Sequence, residues 1–228
     1  EHVSDIFVQP DGRIVLVGKG VDSTTGHLEA VRLNADGTID TTYGDQGKAV
    51  FSLPSGALYD VLNGILDRAG RVVVALDVSI HELVVARIKA DGNLDAGFGQ
   101  QAGFALFSES AVCDSVDANA VAIDSAGRIV VAGDCYNAST ASYFIVVRLR
   151  GDGALDGSFG ISGYSLGAFV AGDLFSSGKA VRFDAGGHLL VGGQAQQSLS
   201  GISRLTYDLI YTNNFETAPL GCLPPDCN

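Results

Sequence analysis

The sequence lacks methionine and tryptophan, and only four of its fourteen basic residues are lysines. With a net charge of −12 and no basic stripe, it cannot neutralise a phosphate backbone, so we expect no nucleic-acid partner. No apolar run approaches the roughly 20 residues that span a bilayer, and the start carries no signal-like charged and apolar regions. We therefore expect no membrane span, and we interpret Glu1 as the start of a processed or excised piece of a longer precursor.

Glycine and β-branched residues are what the chain has in abundance. It contains 30 Gly and only 18% charged residues in a total of 228, with no segment of helical periodicity. This composition is typical of short strands joined by tight turns, and the length suits one large all-β domain. We predict a repeat domain over residues 1–211 and a tail over 212–228.

A long frame of residue types occurs three times. It reads Arg, aliphatic, two free positions, Asp-Gly, one free position, aliphatic, Asp, two free positions, aromatic and Gly, with small departures. The three copies span residues 31–44, 86–99 and 147–160. A motif that occurs once in each of three repeat units indicates a structural role in the unit, and it does not indicate a particular chemistry.

A second, shorter hairpin pattern precedes each copy and occurs four times. Its turn glycines lie 58, 57 and 60 residues apart, which sets the repeat length. Gln9-Pro10-Asp11-Gly12 suits a type I turn followed by a left-handed residue, and the long frame obeys the same rule. The seven turns end at Gly12, Gly37, Gly70, Gly92, Gly127, Gly153 and Gly187.

The turn in the long frame also sets the register of its two strands. If Asn34 pairs with Thr38, then Arg32 lies opposite Asp40 on one face. The same arithmetic pairs Arg87 with Asp95 and Arg148 with Asp156. These carboxylates could be catalytic or bind calcium, but repetition favours ion pairs that fix each hairpin.

One aromatic residue closes each copy of the frame. Tyr43, Phe98 and Phe159 could form a row that stacks on a ligand. We favour the alternative that they fill the gap between successive repeats, because an aromatic side chain buries a large area and recurs once per unit.

Each unit thus offers four strands: one on each side of the first turn, one ending in the Arg-aliphatic pair, and one after the aromatic-Gly pair. Four antiparallel strands in about 57 residues indicate a β-propeller blade, and such units must stack on one another. The predicted fold is an all-β, propeller-like array of four blades ending near Pro54, Ala111, Phe169 and Tyr211. The fourth is degenerate, since Arg204-Leu205 is kept but the following Asp-Gly turn is lost.

The four cysteines fall into two local pairs, Cys113 with Cys135 and Cys222 with Cys227. An even count favours disulfides in an oxidising compartment, whereas the spacing does not suit a zinc site. Register counted from Asp124 and Arg128 brings Cys135 opposite Asp117, close to Cys113. We therefore predict one disulfide that clamps the third unit and one that closes the Pro-rich tail.

The long frame, together with Asp-Gly-Arg-Ile-Val-Leu-Val-Gly at residues 11–18, resembles the delta-60 repeat family over about residues 2–205. The resemblance implies a propeller-like fold in a large secreted or surface-associated bacterial protein, and it supplies no catalytic residues. The segment 208–216 also looks like a C-terminal segment of exported proteins from some gamma-proteobacteria.

The sequence contains no phosphate-binding loop, no nucleophile elbow and no histidine pair at metal-ligand spacing. We therefore expect no catalytic, cofactor-binding or metal residues, although the acidity leaves weak calcium binding open. His188 takes the place of a repeated Arg and is interpreted as an exposed residue after a turn. His27 and His81 fall in variable loops and are only weak candidates for a site.

Two functions follow as hypotheses. The first is a non-enzymatic structural or interaction module, secreted or on the cell surface, that binds a protein partner or further copies of itself through open blade edges as a filament or surface layer. The alternative is a secreted carbohydrate-binding or carbohydrate-active propeller that uses variable loops such as 22–27 and 137–140, with a surface glycan as ligand. We favour the first, because an enzyme should break the repeat with one irregular polar cluster, and none is found.

Overall fold

The structure is a computed structural model that describes residues 2–21, 26–54, 58–78, 82–108, 110–111, 113–138, 142–169, 174–195, 200–205 and 216–217. These residues form strands and turns, without a helix among them. The sixteen strands are β1 (His2–Val8), β2 (Ile14–Val21), β3 (Gly26–Leu33), β4 (Lys48–Phe51), β5 (Leu58–Leu66), β6 (Val72–Val78), β7 (Leu83–Ile88), β8 (Phe104–Phe107), β9 (Ser115–Ile123), β10 (Ile129–Tyr136), β11 (Tyr143–Leu149), β12 (Tyr164–Gly167), β13 (Ser176–Phe183), β14 (Leu189–Ala195), β15 (Ser200–Leu205) and β16 (Glu216–Thr217).

The strands form four antiparallel sheets of four consecutive strands each. We call them blade 1 (β1–β4), blade 2 (β5–β8), blade 3 (β9–β12) and blade 4 (β13–β16). The predicted all-β, four-blade array is therefore confirmed. Blade 4 is degenerate in the structure as well, since among the described residues its last strand has two pairs, Ser203 with Thr217 and Arg204 with Glu216.

The chain divides into two compact units. The first comprises Glu1–Ser108 with the turn Arg150–Ala154, and the second comprises Glu109–Leu149 with Leu155–Asn228. In the first unit, one face of blade 1 packs on blade 2 around Phe7, Val15 and Leu28. In the second, blade 3 packs on blade 4 around Phe144 and Val191. Each core is built from the alternate, inward-pointing residues of short apolar strands.

All seven predicted turn glycines adopt a positive φ. The values run from +73° at Gly70 to +87° at Gly92. In the first turn, the Gly12 N–H donates to the Gln9 carbonyl and the Gln9 N–H donates to the Arg13 carbonyl. A positive φ strains any residue with a Cβ, so these turns require glycine or a residue such as asparagine.

A β-bulge interrupts the first strand of every blade, and the sequence pattern did not reveal it. The register shifts around Ser4, Leu62, Asn119 and Lys179, each eight residues before the turn glycine. In blade 3 the bulge at Asn119 places Cys135 opposite Val116, so the register that paired Cys135 with Asp117 was wrong by one residue. An extra residue in one strand displaces all pairings beyond it.

The predicted disulfide of blade 3 is present. Cys113 and Cys135 are bonded with a Cα–Cα distance of 5.3 Å, and both are buried. The bond ties the segment that enters β9 to the end of β10. Cys222 and Cys227 and almost all of the predicted tail lie outside the described residues, so that disulfide stays a prediction.

Candidate interaction site: the repeated latch

Each repeated Arg and Asp of the long frame forms an ion pair, and in two of the three copies both partners are buried. Arg32 Nε lies 2.8 Å from Asp40 Oδ2, and the two residues are each 4% exposed. The equivalent distances are 2.9 Å for Arg87 and Asp95 and 2.8 Å for Arg148 and Asp156. The backbone explains the proximity, because the Asp40 N–H donates to the Arg32 carbonyl at 3.0 Å and so sets the two side chains on one face.

The carboxylate of Asp40 has no lone pair left for chemistry. Its Oδ1 accepts the Thr42 hydroxyl at 2.6 Å and the Thr42 N–H at 3.0 Å, while Oδ2 accepts Arg32 and faces Arg13 at 3.3 Å. The Thr42 hydroxyl, and then the Thr42 N–H and Arg32, hold the pKa of Asp40 below its ordinary value, against the opposing effect of burial. A carboxylate saturated in this way stabilises a hairpin and makes a poor general base or calcium ligand.

The other two copies repeat this electrostatic arrangement. Burial alone would raise the pKa of Asp95, but Arg87, the Gly97 N–H and Arg71 together outweigh it and the pKa is lowered. Burial would also raise the pKa of Asp156, but the Ser158 hydroxyl at 2.7 Å, the Ser158 N–H and Arg148 lower it. All three carboxylates are therefore charged acceptors held by donors of their own hairpin.

The repeated aromatic side chain lies under the guanidinium group of the same copy. The guanidinium carbon is 4.7 Å from the ring centroid for Arg32 and Tyr43, and 4.3 Å for Arg87 and Phe98. The third pair, Arg148 and Phe159, repeats the first at 4.7 Å. Such stacking holds the planar guanidinium flat between the carboxylate and the ring.

This cluster reaches the next Asp-Gly turn along the chain. Arg32 Nη1 donates to the Ala90 carbonyl, and the Gly44 N–H donates to the Asp91 carbonyl at 3.0 Å. A Cβ placed on Gly92 would lie 2.5 Å from the Gly44 nitrogen. We call this arrangement the latch: the Arg, aromatic and Gly of one copy hold the Asp-Gly turn of the next.

A second latch in the first unit repeats these contacts. Arg87 Nη1 donates to the Gly151 carbonyl, and the Gly99 N–H donates to the Asp152 carbonyl at 2.8 Å. Phe98 closes against Gly153, whose Cβ would approach the ring to 2.7 Å. Tyr43 and Phe98 are 1% and 0% exposed, in line with an aromatic that fills the gap between repeats.

The third and fourth copies depart from the first two. Phe159 is partly exposed, and the segment 206–215, in which the sequence has lost the Asp-Gly turn, lies outside the described residues. Arg204, the fourth repeated Arg, pairs with Asp184 at 3.0 Å and has 42% of its side chain exposed, against 5% for Arg32. His188 completes this group, since its Nδ1 lies 3.0 Å from Asp184, and it is only partly exposed.

Sequence reasoning missed a second set of left-handed residues. Gly44, Gly99 and Gly160 have positive φ. So do the non-glycine residues that directly precede the next glycine of each turn, which are Gln46 (51°), Ala102 (45°) and Ser162 (54°). They form the tight turn that leads into the last strand of each blade. The signal was the repeated Gly-x-x-Gly or Gly-x-x-x-Gly that follows each aromatic residue, because glycines at this spacing indicate a turn.

Blade 1 has one buried and one exposed face. The face that carries Phe7, Val15 and Val17 is buried at 9%, 1% and 1% exposure. On the opposite face, Ile6 and Val8 are 59% and 67% exposed. We define this second surface, which also includes the partly exposed Ile14, Leu16, Val31 and Leu33, as the head face.

Blade 4 likewise has a face that is not buried. Val181, Leu189 and Val191 pack into the second core, while the opposite surface carries Ile202 at 48% exposure. Cross-strand pairing places Arg182, Leu190 and Arg204 in one row and Ile202 in the next. We define Arg182, Leu190, Ile202 and Arg204 as the tail face.

The three described histidines, His2, His27 and His188, each face a different carboxylate. His27 Nε2 lies 2.6 Å from Glu29, which also pairs with Lys48 at 2.8 Å. Burial would raise the pKa of Glu29, but the hydrogen bonds from Lys48 and His27 lower it. His81 lies outside the described residues. Within the described ranges, no group of three or more His, Cys, Asp or Glu is arranged to hold a metal ion, and no helix is long and apolar enough to cross a bilayer.

Comparison with known proteins agrees with this architecture. A model of the family described as "Domain of unknown function (DUF5122) beta-propeller" matches residues 9–43 and 127–159. The matched segments hold the turns and the Arg-Asp-aromatic clusters of blades 1 and 3. The match thus supports the propeller-like fold of the four antiparallel sheets. No curated protein matches its sequence.

One solved structure with a TM-score above 0.5 has a similar fold at low identity. A protein of unknown function from Dyadobacter fermentans matches with a TM-score of 0.52 and 14% identity, covering 89% of this chain and 65% of that one. The chain thus spans about two thirds of the length of that protein. A hypothetical protein from Leishmania major (TM-score 0.47, 11% identity, 93% and 68% covered) and an exo-1,5-alpha-L-arabinanase from a bovine ruminal metagenomic library (0.47, 13%, 90% and 73%) share only a distant likeness.

Proposed function

We propose that this protein is a non-enzymatic structural and interaction module of the delta-60 repeat type, secreted or at the cell surface, which assembles through the open edges of its blade array. The observation that carries this proposal is the exposure of the head face. Val72, Val74, Ala86 and Ile88 form the equivalent face of blade 2, and they are buried against blade 1 at 2%, 0%, 0% and 0% exposure. The same apolar sheet face is covered by another blade in blade 2 and is exposed in blade 1. Such an exposed apolar face marks a binding surface.

Two further observations support the proposal. The conspicuous ionisable residues of the frame are engaged in ion pairs within their own hairpins, because Asp40, Asp95 and Asp156 each accept from their own Arg. Their carboxylates are thus used for architecture, which supports a function without catalysis. The buried disulfide of blade 3 supports an oxidising compartment outside the cytoplasm.

The test is the state of association of the purified chain. We expect light scattering and sedimentation to show concentration-dependent oligomers, and electron microscopy of the same sample to show whether they extend into filaments. A species that stays monomeric at every concentration would contradict assembly. The carbohydrate hypothesis depends on loops that lie largely outside the described residues, and binding on a glycan array would favour it instead.

A further inference from the structure

The two exposed faces of this chain correspond to the two sides of its own blade-to-blade contact. We propose that the tail face of one molecule binds the head face of a second copy, in a head-to-tail contact that repeats the packing of blade 1 on blade 2. This inference rests on the proposed function and names the surfaces that would perform it.

The contact between blades 1 and 2 provides the template. Phe7, Val15, Val17 and Ala30 of blade 1 pack on the face of blade 2 that corresponds to the head face. Counted from the turn glycine of the first hairpin, Phe7 and Val15 correspond to Arg182 and Leu190. The tail face thus occupies the place in blade 4 that the buried contact face occupies in blade 1.

Arg204 supplies the polar half of the contact. It corresponds to Arg32, and it pairs with Leu190 across the strands as Arg32 pairs with Val15. Arg32 donates to a backbone carbonyl of the next turn, whereas 42% of the Arg204 side chain faces solvent. In the assembled state we expect Arg204 to donate to the Ala35 carbonyl of the second copy.

The first Asp-Gly turn is the matching acceptor. Ala35, Asp36 and Gly37 are exposed, and a Cβ on Gly37 would meet nothing within 4 Å. In contrast, Gly92 and Gly153, at the same position of later copies, are buried under the latch of the preceding copy. The first Asp-Gly turn therefore has the same geometry as the two latched turns. Among the described residues, however, no Arg-aromatic-Gly cluster holds it.

Charge and connectivity select a second copy as the partner. The head end carries the exposed Asp11 and Asp36, and the tail face carries Arg182 and Arg204, so opposite charges meet. Both halves of the contact lie on one chain and are not the same surface. Such a heterologous contact joins molecules head to tail and can propagate.

Three matched substitutions test the surfaces. Val8→Asp alters the head face and Ile202→Asp the tail face, while Tyr136→Asp changes an apolar residue of blade 3 that is 50% exposed and belongs to neither face. We expect the first two to raise the dissociation constant by about tenfold or more and Tyr136→Asp to leave it unchanged. Sedimentation over a concentration series measures the constants, and melting temperatures show whether each variant folds.

A second pair of variants tests the polar half. Arg204→Ala removes the proposed donor, and Arg68→Ala removes an exposed arginine from a turn of blade 2. We expect weaker association for Arg204→Ala only. This pair leaves the apolar faces intact, so it still decides the question if either aspartate variant fails to fold.

Mixing the two aspartate variants gives the sharpest result. Val8→Asp keeps an intact tail face and Ile202→Asp keeps an intact head face, so a head-to-tail contact predicts one-to-one dimers that stop growing. Each variant alone should remain monomeric. Wild-type oligomers that none of these substitutions weakens would overturn the inference but leave the proposed function standing. A monomeric wild type would defeat both, and a concentration-independent loss of stability in Val8→Asp and Ile202→Asp would show that the faces meet within one chain.

Discussion

At the scale of single residues, the latch gives glycine two separate roles. Gly37 and Gly92 have nearly the same φ, +86° and +87°, but a Cβ on Gly37 meets open space and one on Gly92 meets the Gly44 nitrogen at 2.5 Å. Backbone strain is common to both positions. Steric exclusion by the preceding blade is added only at Gly92, so the two glycines can be separated by experiment.

We predict that Gly92→Val destabilises the protein more than Gly37→Val. Positive φ with a Cβ costs about 1–2 kcal/mol at either position, and overpacking against Tyr43 and Gly44 adds about 1–3 kcal/mol at Gly92. Urea unfolding in dilute solution measures the difference. Equal losses of unfolding free energy would show that the turn of blade 2 is not held by a latch.

The saturated carboxylates predict acid sensitivity. The pKa of Asp40 in the folded protein lies below its ordinary value of 3.8, because Thr42 and Arg32 favour the charged form. Such a group stabilises the fold above pH 3.8 and loses that contribution as the pH falls through the lowered folded value. Since Asp95 and Asp156 shift in the same direction, we expect the unfolding free energy to decline below about pH 4.

Asp40→Asn tests the contribution of one carboxylate. The variant should be less stable at neutral pH and lose less stability between pH 5 and acid, because its side chain does not titrate. Asp11→Asn, at an exposed position of the same blade, should follow the wild-type curve. If the unfolding free energies of Asp40→Asn and the wild type fell in parallel with decreasing pH, Asp40 would not contribute to the acid-induced loss of stability.

At the scale of strands and sheets, the bulge and the disulfide act on the same part of blade 3. The bulged Asn119 donates to Asp134 at 3.0 Å and to the Gly178 carbonyl of blade 4 at 3.1 Å. Lys179, the bulged residue of blade 4, donates to the same carboxylate at 2.9 Å. The two bulges thus direct polar side chains into the contact between β9 and β13, beside β10, which carries Cys135 near its end.

The disulfide should contribute measurably to stability. Its two cysteines are 22 residues apart, and closing a loop of that size is worth about 3 kcal/mol. We expect the double substitution Cys113→Ala and Cys135→Ala to lower the melting temperature. A reducing agent should then lower the melting temperature of this variant less than that of the wild type, because the variant has no Cys113–Cys135 bond to reduce. Mass spectrometry of a non-reduced digest identifies the bonded pairs and also tests Cys222 with Cys227. Free thiols at Cys113 and Cys135 in the native protein would contradict the structure.

At the scale of the whole molecule, the net charge of −12 suggests calcium binding. The repeated Arg-Asp ion pairs, however, form without a metal ion. The carboxylates of the long frame are occupied by arginine, hydroxyl and backbone donors, which leaves them little capacity for a cation. We therefore predict equal unfolding midpoints with calcium and with a chelator. A midpoint that rises with calcium would reveal a site outside these carboxylates and restore the weak calcium binding that the sequence left open.

Much of the architecture could be predicted from the sequence because it depends on local rules. A turn position with positive φ favours glycine, and a hairpin of fixed turn length places Arg32 opposite Asp40. Repetition of these short-range features revealed the number of blades and their strands. The bulges escaped detection because Ser4, Leu62, Asn119 and Lys179 share no residue type, so their position carries no sequence signal.

The sequence by itself determined the repeat, its turns, its ion pairs and the disulfide of blade 3, since each is encoded by residues close together in the chain or in one hairpin. Only the tertiary structure decided that the cluster around Arg32 holds the turn of the next blade through Ala90 and Asp91. The same holds for the exposure of Val8, which is 67% although its strand resembles that of a buried blade. Burial depends on which sheet packs against which, and that contact joins residues far apart in sequence.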